Sequence, residues 1–136
     1  GSDSHISVDP VEELRWLEYG MRLQTRQRNV LVEPGRVSTG RSLLDGALAG
    51  GTDACGRRIG RIAPGYRADL IALASDHPRL YGRHGDDLLD SWIFSGNENL
   101  VRDVYVGGKK LIDNGRHHDE EKIAQNYRAT LDQLAS

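Results

Sequence analysis

Two short runs of this 136-residue sequence carry residue types that bind divalent metals or transfer protons. The first is Asp3-Ser4-His5, which places a carboxylate, a hydroxyl and an imidazole close together near the first residue. The second is His117-His118-Asp119. Carboxylates and neutral imidazoles are common ligands of Zn²⁺, and both groups also act as general acids or bases. Each run is therefore a candidate for metal-assisted chemistry.

Spacing alone does not make either run a site. The side chains of His117, His118 and Asp119 are adjacent and diverge, so we interpret this run as a solvent-exposed lead into the last helix. By residue pattern alone, Asp3 is interpreted as an ordinary aspartate that precedes a helix. Cys55 has neither a second cysteine nor a nearby histidine, and we interpret it as a free thiol without a role.

Composition excludes several classes of function. The chain is 38% hydrophobic and 28% charged, as expected for a globular domain, and its net charge of −2 gives no general attraction to nucleic acid or anionic lipid. The arginines and glutamates of the first helix balance each other, which favours a salt-bridged face. A single cysteine cannot form an internal disulfide, which is consistent with a reducing compartment. No apolar run is nearly as long as a membrane-spanning helix. We expect a cytoplasmic location and neither nucleic acid nor membrane as a partner.

Four helices are predicted from capping residues followed by apolar residues at helical spacing. The predicted caps or first residues are Asp9 with Pro10, Ser38 or Thr39, Asp86 or Asp87, and Asp119. The second helix is expected to end at Gly50-Gly51, because glycine adopts the left-handed conformation that closes a helix.

Three strands are predicted. Pro64-Gly65 forms a type II turn that leads into Leu70–Leu73, a strand too apolar to leave one face in water. Val101–Val106 and Lys109–Asp113 form a hairpin through the two-residue turn Gly107-Gly108. The chain by itself is therefore α+β. Its helices carry more apolar surface than three strands can cover, which predicts that part of the structure lies outside this sequence.

Two of these segments carry a family resemblance. Gly60-x-Ile62-x-Pro64-Gly65-x-x-Ala68-Asp69-Leu70 resembles the strand by which the chain of amidohydrolase-superfamily enzymes returns from a (β/α)8 barrel to a small β-sandwich. The hairpin at 104–112 resembles the next sandwich element. Residues 1–4 resemble the end of the eighth barrel strand in metal-dependent deaminases of that superfamily. Residues 5–23 are most similar to the family of N-formimino-L-glutamate deiminases.

The resemblance implies an α/β parent, a metal-dependent (β/α)8 barrel with a small β-sandwich domain, of which this chain is the C-terminal piece. Residues 1–52 would be the end of the barrel, namely its last strand and the helices after it. Residues 53–116 would be the C-terminal part of the sandwich, with an inserted loop and a short helix. Residues 117–136 would be a C-terminal helix. The parent would act on a small molecule as a homodimer.

The same resemblance gives roles to the first run. Asp3 would bind Zn²⁺ or another divalent metal and would be catalytic. Ser4 and His5 would line the substrate pocket or orient Asp3. The family's His-x-His metal pair has no counterpart among the five histidines of this chain. Since one aspartate does not hold zinc against water, the isolated fragment is expected to bind no metal tightly and to be inactive.

Two alternatives remain open at this point. One is another deaminase of the superfamily, acting on guanine or on a different nitrogen heterocycle. The other is a self-standing, non-catalytic α+β module used for assembly, which would explain the missing His-x-His pair directly.

Overall fold

The structure, a computed structural model, describes residues 6–135. Over that range it contains four helices and four strands. In chain order these are α1 (Pro10–Thr25), α2 (Thr39–Cys55), β1 (Leu70–Leu73), α3 (Gly85–Phe94), β2 (Val101–Val106), β3 (Lys109–Asp113), β4 (Arg116–His117) and α4 (Glu120–Ala135). The order confirms the α+β class expected of this chain by itself. Among these residues no helix has both the length and the apolar composition needed to cross a membrane.

The chain forms two compact units. The first contains the sequence up to Tyr66 together with Ala74–Leu100, and therefore α1, α2 and α3. The second contains Arg67–Leu73 and the sequence from Val101 onward, which is the sheet and α4. The first unit is thus discontinuous in sequence, since β1 belongs to the second.

Helix α1 begins as its sequence predicts. The Asp9 side chain accepts a hydrogen bond from the Val11 amide at 2.9 Å, and Pro10 occupies the first turn, where its missing N–H is not needed. The helix closes at Arg26, which has a left-handed backbone (φ 58°) and donates its N–H to the Arg22 carbonyl.

Helix α2 is longer than predicted. Ser38 caps it by accepting the Arg41 amide at 2.9 Å, as one of the two predicted caps. The predicted end at Gly50-Gly51 is wrong, because the helix continues through both glycines and closes at Gly56. Gly56 has the left-handed conformation (φ 60°), and its N–H meets the last carbonyls of the helix. A glycine permits a helix end without requiring one.

The predicted caps of α3 are also wrong. The helix begins at Gly85, and the residue in the cap position is His84, whose side chain makes no capping hydrogen bond. Asp86 and Asp87 lie in the first turn instead, where carboxylates are favoured by the helix dipole. Asp86 accepts a hydrogen bond from Arg41 at 2.8 Å. The start of α3 is therefore stabilised by a contact from α2 rather than by a capping side chain of its own.

The core of the first unit lies among its three helices and the loop before α3. Its buried apolar residues are Val11, Leu43, Leu80, Leu89, Trp92, Ile93 and Leu100. Helices α2 and α3 approach closely at Gly40, whose amide donates to the Asp90 carboxylate at 2.6 Å. A Cβ at Gly40 would lie 2.8 Å from the Asp90 Oδ1 atom and 3.0 Å from its backbone nitrogen, so only glycine permits this approach.

The second unit is a four-stranded antiparallel sheet in the order β1-β2-β3-β4. The predicted hairpin is confirmed: Val106 pairs with Lys109, and both residues of the intervening Gly107-Gly108 turn have positive φ. Asn114-Gly115 forms a second two-residue turn of the same kind and leads into β4. Strand β4 was not predicted, because it is only two residues long.

The sheet and α4 bury almost nothing by themselves. Among the described residues of the second unit, the only buried one is Asp103, and no residue of α4 is buried. Ile71 in β1 is 50% exposed. The prediction that both faces of this strand are buried is therefore wrong within this chain. A sheet normally needs a second layer to bury an apolar face. The exposed apolar residues agree with the prediction that part of the structure is missing.

Candidate functional site

The three residues predicted to carry chemistry, Asp3, Ser4 and His5, lie outside the described residues, so their roles stay predictions. The structure describes the segment that follows them. The chain runs without regular secondary structure from Ile6 to Asp9 and then enters α1. Residues 6–9 therefore enter the first unit directly through α1.

The Arg15 side chain connects helix α1 to the end of α3. The Arg15 guanidinium donates to the Ile93 carbonyl at 2.7 Å, to the Gly96 carbonyl at 2.5 Å and to the Asn97 side chain at 2.5 Å. Carbonyls at the end of a helix lack partners within the helix, and a planar cation with five N–H donors suits them. Arg15 thereby joins residues about 80 positions apart in sequence.

Glu18 forms a salt bridge with Arg22, as the charges of α1 predict, but its side chain is wholly buried. Its carboxylate accepts hydrogen bonds from Arg22 Nε at 2.7 Å, from the Val30 amide at 3.1 Å and from the Leu31 amide at 3.0 Å. Burial works to raise the pKa of the Glu18 carboxyl, but these hydrogen bonds outweigh it and hold the pKa below its usual range. Glu18 therefore fixes the connection between α1 and α2.

The run His117-His118-Asp119 is brought together more closely than its sequence suggests. One ligand atom from each residue lies within 4.8 Å of the others, and His118 Nε2 is 3.1 Å from Asp119 Oδ2. His117 lies in β4, not in a lead into the helix as predicted. The two imidazole rings are stacked, with centroids 4.3 Å apart. The three residues could hold a metal ion by distance, but one nitrogen of each ring already has a partner, since His117 Nδ1 accepts the Asp119 amide at 3.1 Å and His118 Nε2 lies beside the Asp119 carboxylate.

A cleft of about 700 Å³ lies against α2 in the first unit. Both acidic and basic side chains line the cleft, and Arg36 forms salt bridges with Glu33 at 2.8 Å and with Asp45 at 2.7 Å. The Arg61 guanidinium lies over the Tyr66 ring. No histidine or cysteine lines it. Cys55, at the end of α2, is an exposed free thiol, which agrees with its interpretation from sequence. The cleft therefore offers polar contacts but no nucleophile paired with a base.

Comparison with known proteins connects the chain to one enzyme family. The model of the Amidohydrolase family matches residues 1–111. A formimidoylglutamate deiminase from Pseudomonas aeruginosa is 48% identical over 134 residues, which is 98% of this chain but 30% of that protein. The chain thus spans about a third of the length of this curated relative.

Solved structures agree with the sequence comparison. An amidohydrolase from Brucella melitensis matches all of this chain and 30% of its own, with a TM-score of 0.83 and 39% identity. The atrazine chlorohydrolase TrzN from Arthrobacter aurescens TC1, in complex with zinc, matches 95% of this chain and 28% of its own, with a TM-score of 0.74 and 26% identity. On the extent of these matches, the chain belongs to the amidohydrolase family.

Proposed function

We propose that this chain is the C-terminal portion of a metal-dependent deiminase that hydrolyses N-formimino-L-glutamate to N-formyl-L-glutamate and ammonia, a step of histidine degradation. The observation that carries the proposal is the 48% identity to a formimidoylglutamate deiminase over 98% of this chain. Because the chain spans about 30% of that relative, the remaining residues of a longer polypeptide would supply most of the site.

A divalent metal fits this proposal only as a group shared with those remaining residues. The one cluster of possible ligands among residues 6–135 is the run at 117–119, which the family resemblance does not connect with the metal of the barrel. Asp3 supplies one carboxylate, which fits a single ligand position. The zinc held by TrzN supports a metal of this kind. When bound, the metal supplies Lewis acidity and lowers the pKa of water.

Asp3 would act as a proton carrier in the reaction. Its carboxylate would accept a proton from the water that attacks the formimino carbon, and it would deliver that proton to the terminal nitrogen. The second proton of the water would then pass from the new hydroxyl to the same nitrogen by the same route as the carbon–nitrogen bond breaks. That nitrogen leaves as ammonia, and the water oxygen remains as the formyl oxygen. Ser4 and His5 would orient Asp3 or contact the substrate.

The test uses the full-length polypeptide that carries this chain. We expect ammonia release from N-formimino-L-glutamate and a divalent metal in the purified protein. Asp3→Asn should lower kcat by about 10²- to 10⁴-fold, the usual effect of a general base. Asp76→Asn, at an exposed loop aspartate, is the matched control and should leave kcat unchanged. Near-normal turnover of Asp3→Asn would remove Asp3 from the mechanism.

A second candidate function is hydrolysis of a nitrogen heterocycle by another member of the same family. The 26% identity to an atrazine chlorohydrolase over 95% of this chain favours it, because it shows that this fold serves another substrate within the family. Guanine is the competing substrate in the same assay. Release of ammonia from guanine but not from N-formimino-L-glutamate would establish this alternative.

The non-catalytic assembly module is the weaker alternative. The sheet and α4 bury no apolar residue among those described, which a self-standing module could not maintain without a covering layer. Full-length protein without hydrolase activity on either substrate, and without metal, would favour this alternative instead.

A further inference from the structure

The run His117-His118-Asp119 brings together metal-binding side chains that the proposed function does not use. It lies in the second unit, where β4 ends and the chain turns into α4. One ligand atom from each residue lies within 4.8 Å of the other two. Imidazole nitrogens and carboxylate oxygens both bind Zn²⁺, whereas Mg²⁺ and Ca²⁺ prefer oxygen ligands. The donor set therefore indicates a transition metal.

The hydrogen bond of the His118 ring determines which of its nitrogens is able to bind a metal. Its Nδ1 atom lies 3.3 Å from the Leu111 carbonyl oxygen. Because a carbonyl oxygen only accepts hydrogen bonds, Nδ1 carries the hydrogen in this contact. The lone pair of the neutral ring is then on Nε2. A hydrogen bond of this kind to a backbone carbonyl is typical of histidine ligands, since it fixes the tautomer and the orientation of the ring.

The Nε2 atom of His118 faces a second acceptor. Asp119 Oδ2 lies 3.1 Å from it. A lone pair and a carboxylate oxygen repel each other at this distance unless a cation joins them, which is either a proton on Nε2 or a metal ion bound to both. Ligand atoms of a tetrahedral Zn²⁺ site, at about 2.0–2.2 Å from the metal, are about 3.3–3.6 Å apart. This pair is already close to the separation that a shared metal requires.

His117 distinguishes a metal from a proton. A shared proton needs only two partners, whereas Zn²⁺ usually takes three protein ligands and a water, or four protein ligands. The His117 ring is stacked on the His118 ring, with centroids 4.3 Å apart. Its Nδ1 atom accepts the Asp119 amide at 3.1 Å, so the ring exchanges this hydrogen bond for the metal on binding. His118 and Asp119 are therefore the preformed pair, and His117 is the third ligand that joins them.

The charges beside the run also favour a cation. Residues 116–122 contain three carboxylates, on Asp119, Glu120 and Glu121, and two fixed positive charges, on Arg116 and Lys122. Glu120 and Glu121 lie in the first turn of α4. Carboxylates in that position offset the positive end of the helix dipole, which would by itself oppose a bound cation.

We propose that His117, His118 and Asp119 form a three-ligand site for Zn²⁺ or a similar divalent transition metal. The proposal does not rest on the proposed function, because all three ligands belong to the described residues and none is assigned to the hydrolysis. It replaces, at this run, the expectation that this chain alone binds no metal.

The test measures Zn²⁺ binding to the full-length polypeptide by isothermal titration calorimetry, after removal of any polyhistidine purification tag. Loss of a group that only orients a ligand typically lowers metal affinity by about 10- to 100-fold. His118→Ala removes a ligand of the preformed pair, so it should weaken one bound equivalent of Zn²⁺ by about 100-fold or more. His117→Ala should weaken the same equivalent by about tenfold, because binding by His117 also breaks its hydrogen bond to the Asp119 amide.

The matched control is His84→Ala, which removes an exposed histidine from the first unit and should leave Zn²⁺ binding unchanged. Two results would overturn the proposal. Equal Zn²⁺ binding by His118→Ala and the unmodified protein would show that a proton joins His118 to Asp119. Equal weakening by His84→Ala would show that exposed histidines bind Zn²⁺ without a site. Neither readout depends on substrate, so protein that is inactive on N-formimino-L-glutamate but binds Zn²⁺ at this run would refute only the proposed function.

Discussion

Replacing Glu18 with glutamine is expected to loosen the connection between α1 and α2. The carboxylate has two oxygens and three donors: Oε1 receives Arg22 and the Val30 amide, and Oε2 receives the Leu31 amide. A glutamine keeps one oxygen and turns an NH2 group toward the donors that the other oxygen served. At least one buried hydrogen bond is therefore lost, and two donors are forced together.

The magnitude follows from the kind of bond that is lost. A hydrogen bond to a charged group contributes about 1.5–3 kcal/mol, and about 1.4 kcal/mol corresponds to a factor of ten. The Val30 or Leu31 amide should exchange with solvent about 10- to 100-fold faster in Glu18→Gln, as measured by NMR or mass spectrometry on the full-length polypeptide. Glu12→Gln removes the same charge near the start of α1 and is the control.

The pH dependence gives an independent check. The pKa of Glu18 lies below its usual range in the folded protein, so its contribution to stability is complete above the unfolded pKa, about 4.5, and is lost as the pH falls through the folded pKa. Protection of the Val30 and Leu31 amides should therefore be constant near neutrality and weaken only in acid. Unchanged exchange at both amides in Glu18→Gln would refute the reasoning.

Two further predictions concern single contacts. The pKa of Asp103 is lowered to about 2, mainly because the Asn114 amide donates a hydrogen bond to its carboxylate. Asp103→Asn should therefore accelerate hydrogen exchange of the Asn114 amide at neutral pH. The control, Asp113→Asn, changes an exposed carboxylate and should leave that exchange rate unchanged. In the unmodified protein this protection should be lost only as the pH falls from about 4 toward 2. Gly40→Ala should lower the unfolding temperature, since overpacking costs about 1–3 kcal/mol and outweighs a helix gain of about 1 kcal/mol. Gly46→Ala, with open space around it, should raise the temperature, and a decrease there would contradict the structure.

The sequence was most informative where one residue type determines local geometry. The turn at Pro64-Gly65 forms as predicted, with Gly65 at φ 82° and the Tyr66 amide bonded to the Ala63 carbonyl. The hairpin turn at Gly107-Gly108 and the start of α1 at Asp9 follow in the same way. In each case the side chain, or its absence, sets the backbone angle without help from distant residues.

Predictions failed where tertiary contacts decide between local alternatives. Gly50-Gly51 permits a helix end but lies inside α2, and Asp86 could cap α3 but instead pairs with Arg41. Nothing in the spacing of α1 distinguishes buried Glu18 from its exposed neighbours, because the donors that stabilise it come from a later loop. The assignment of Asp3 rests on resemblance alone, since one carboxylate has no pattern of its own.

Strand β1 is encoded far ahead of the strand that it pairs with, and this order matters during synthesis. Ile71 pairs with Val104, more than thirty residues downstream, while β2, β3 and β4 follow one another through two-residue turns. A ribosome adds about 5–20 residues per second, so β1 waits about 2–7 seconds for its partner. Over that interval it is an unpaired apolar edge, which is the state that chaperones bind and that aggregates form from. A chain interrupted before residue 106 would keep β1 in that state permanently.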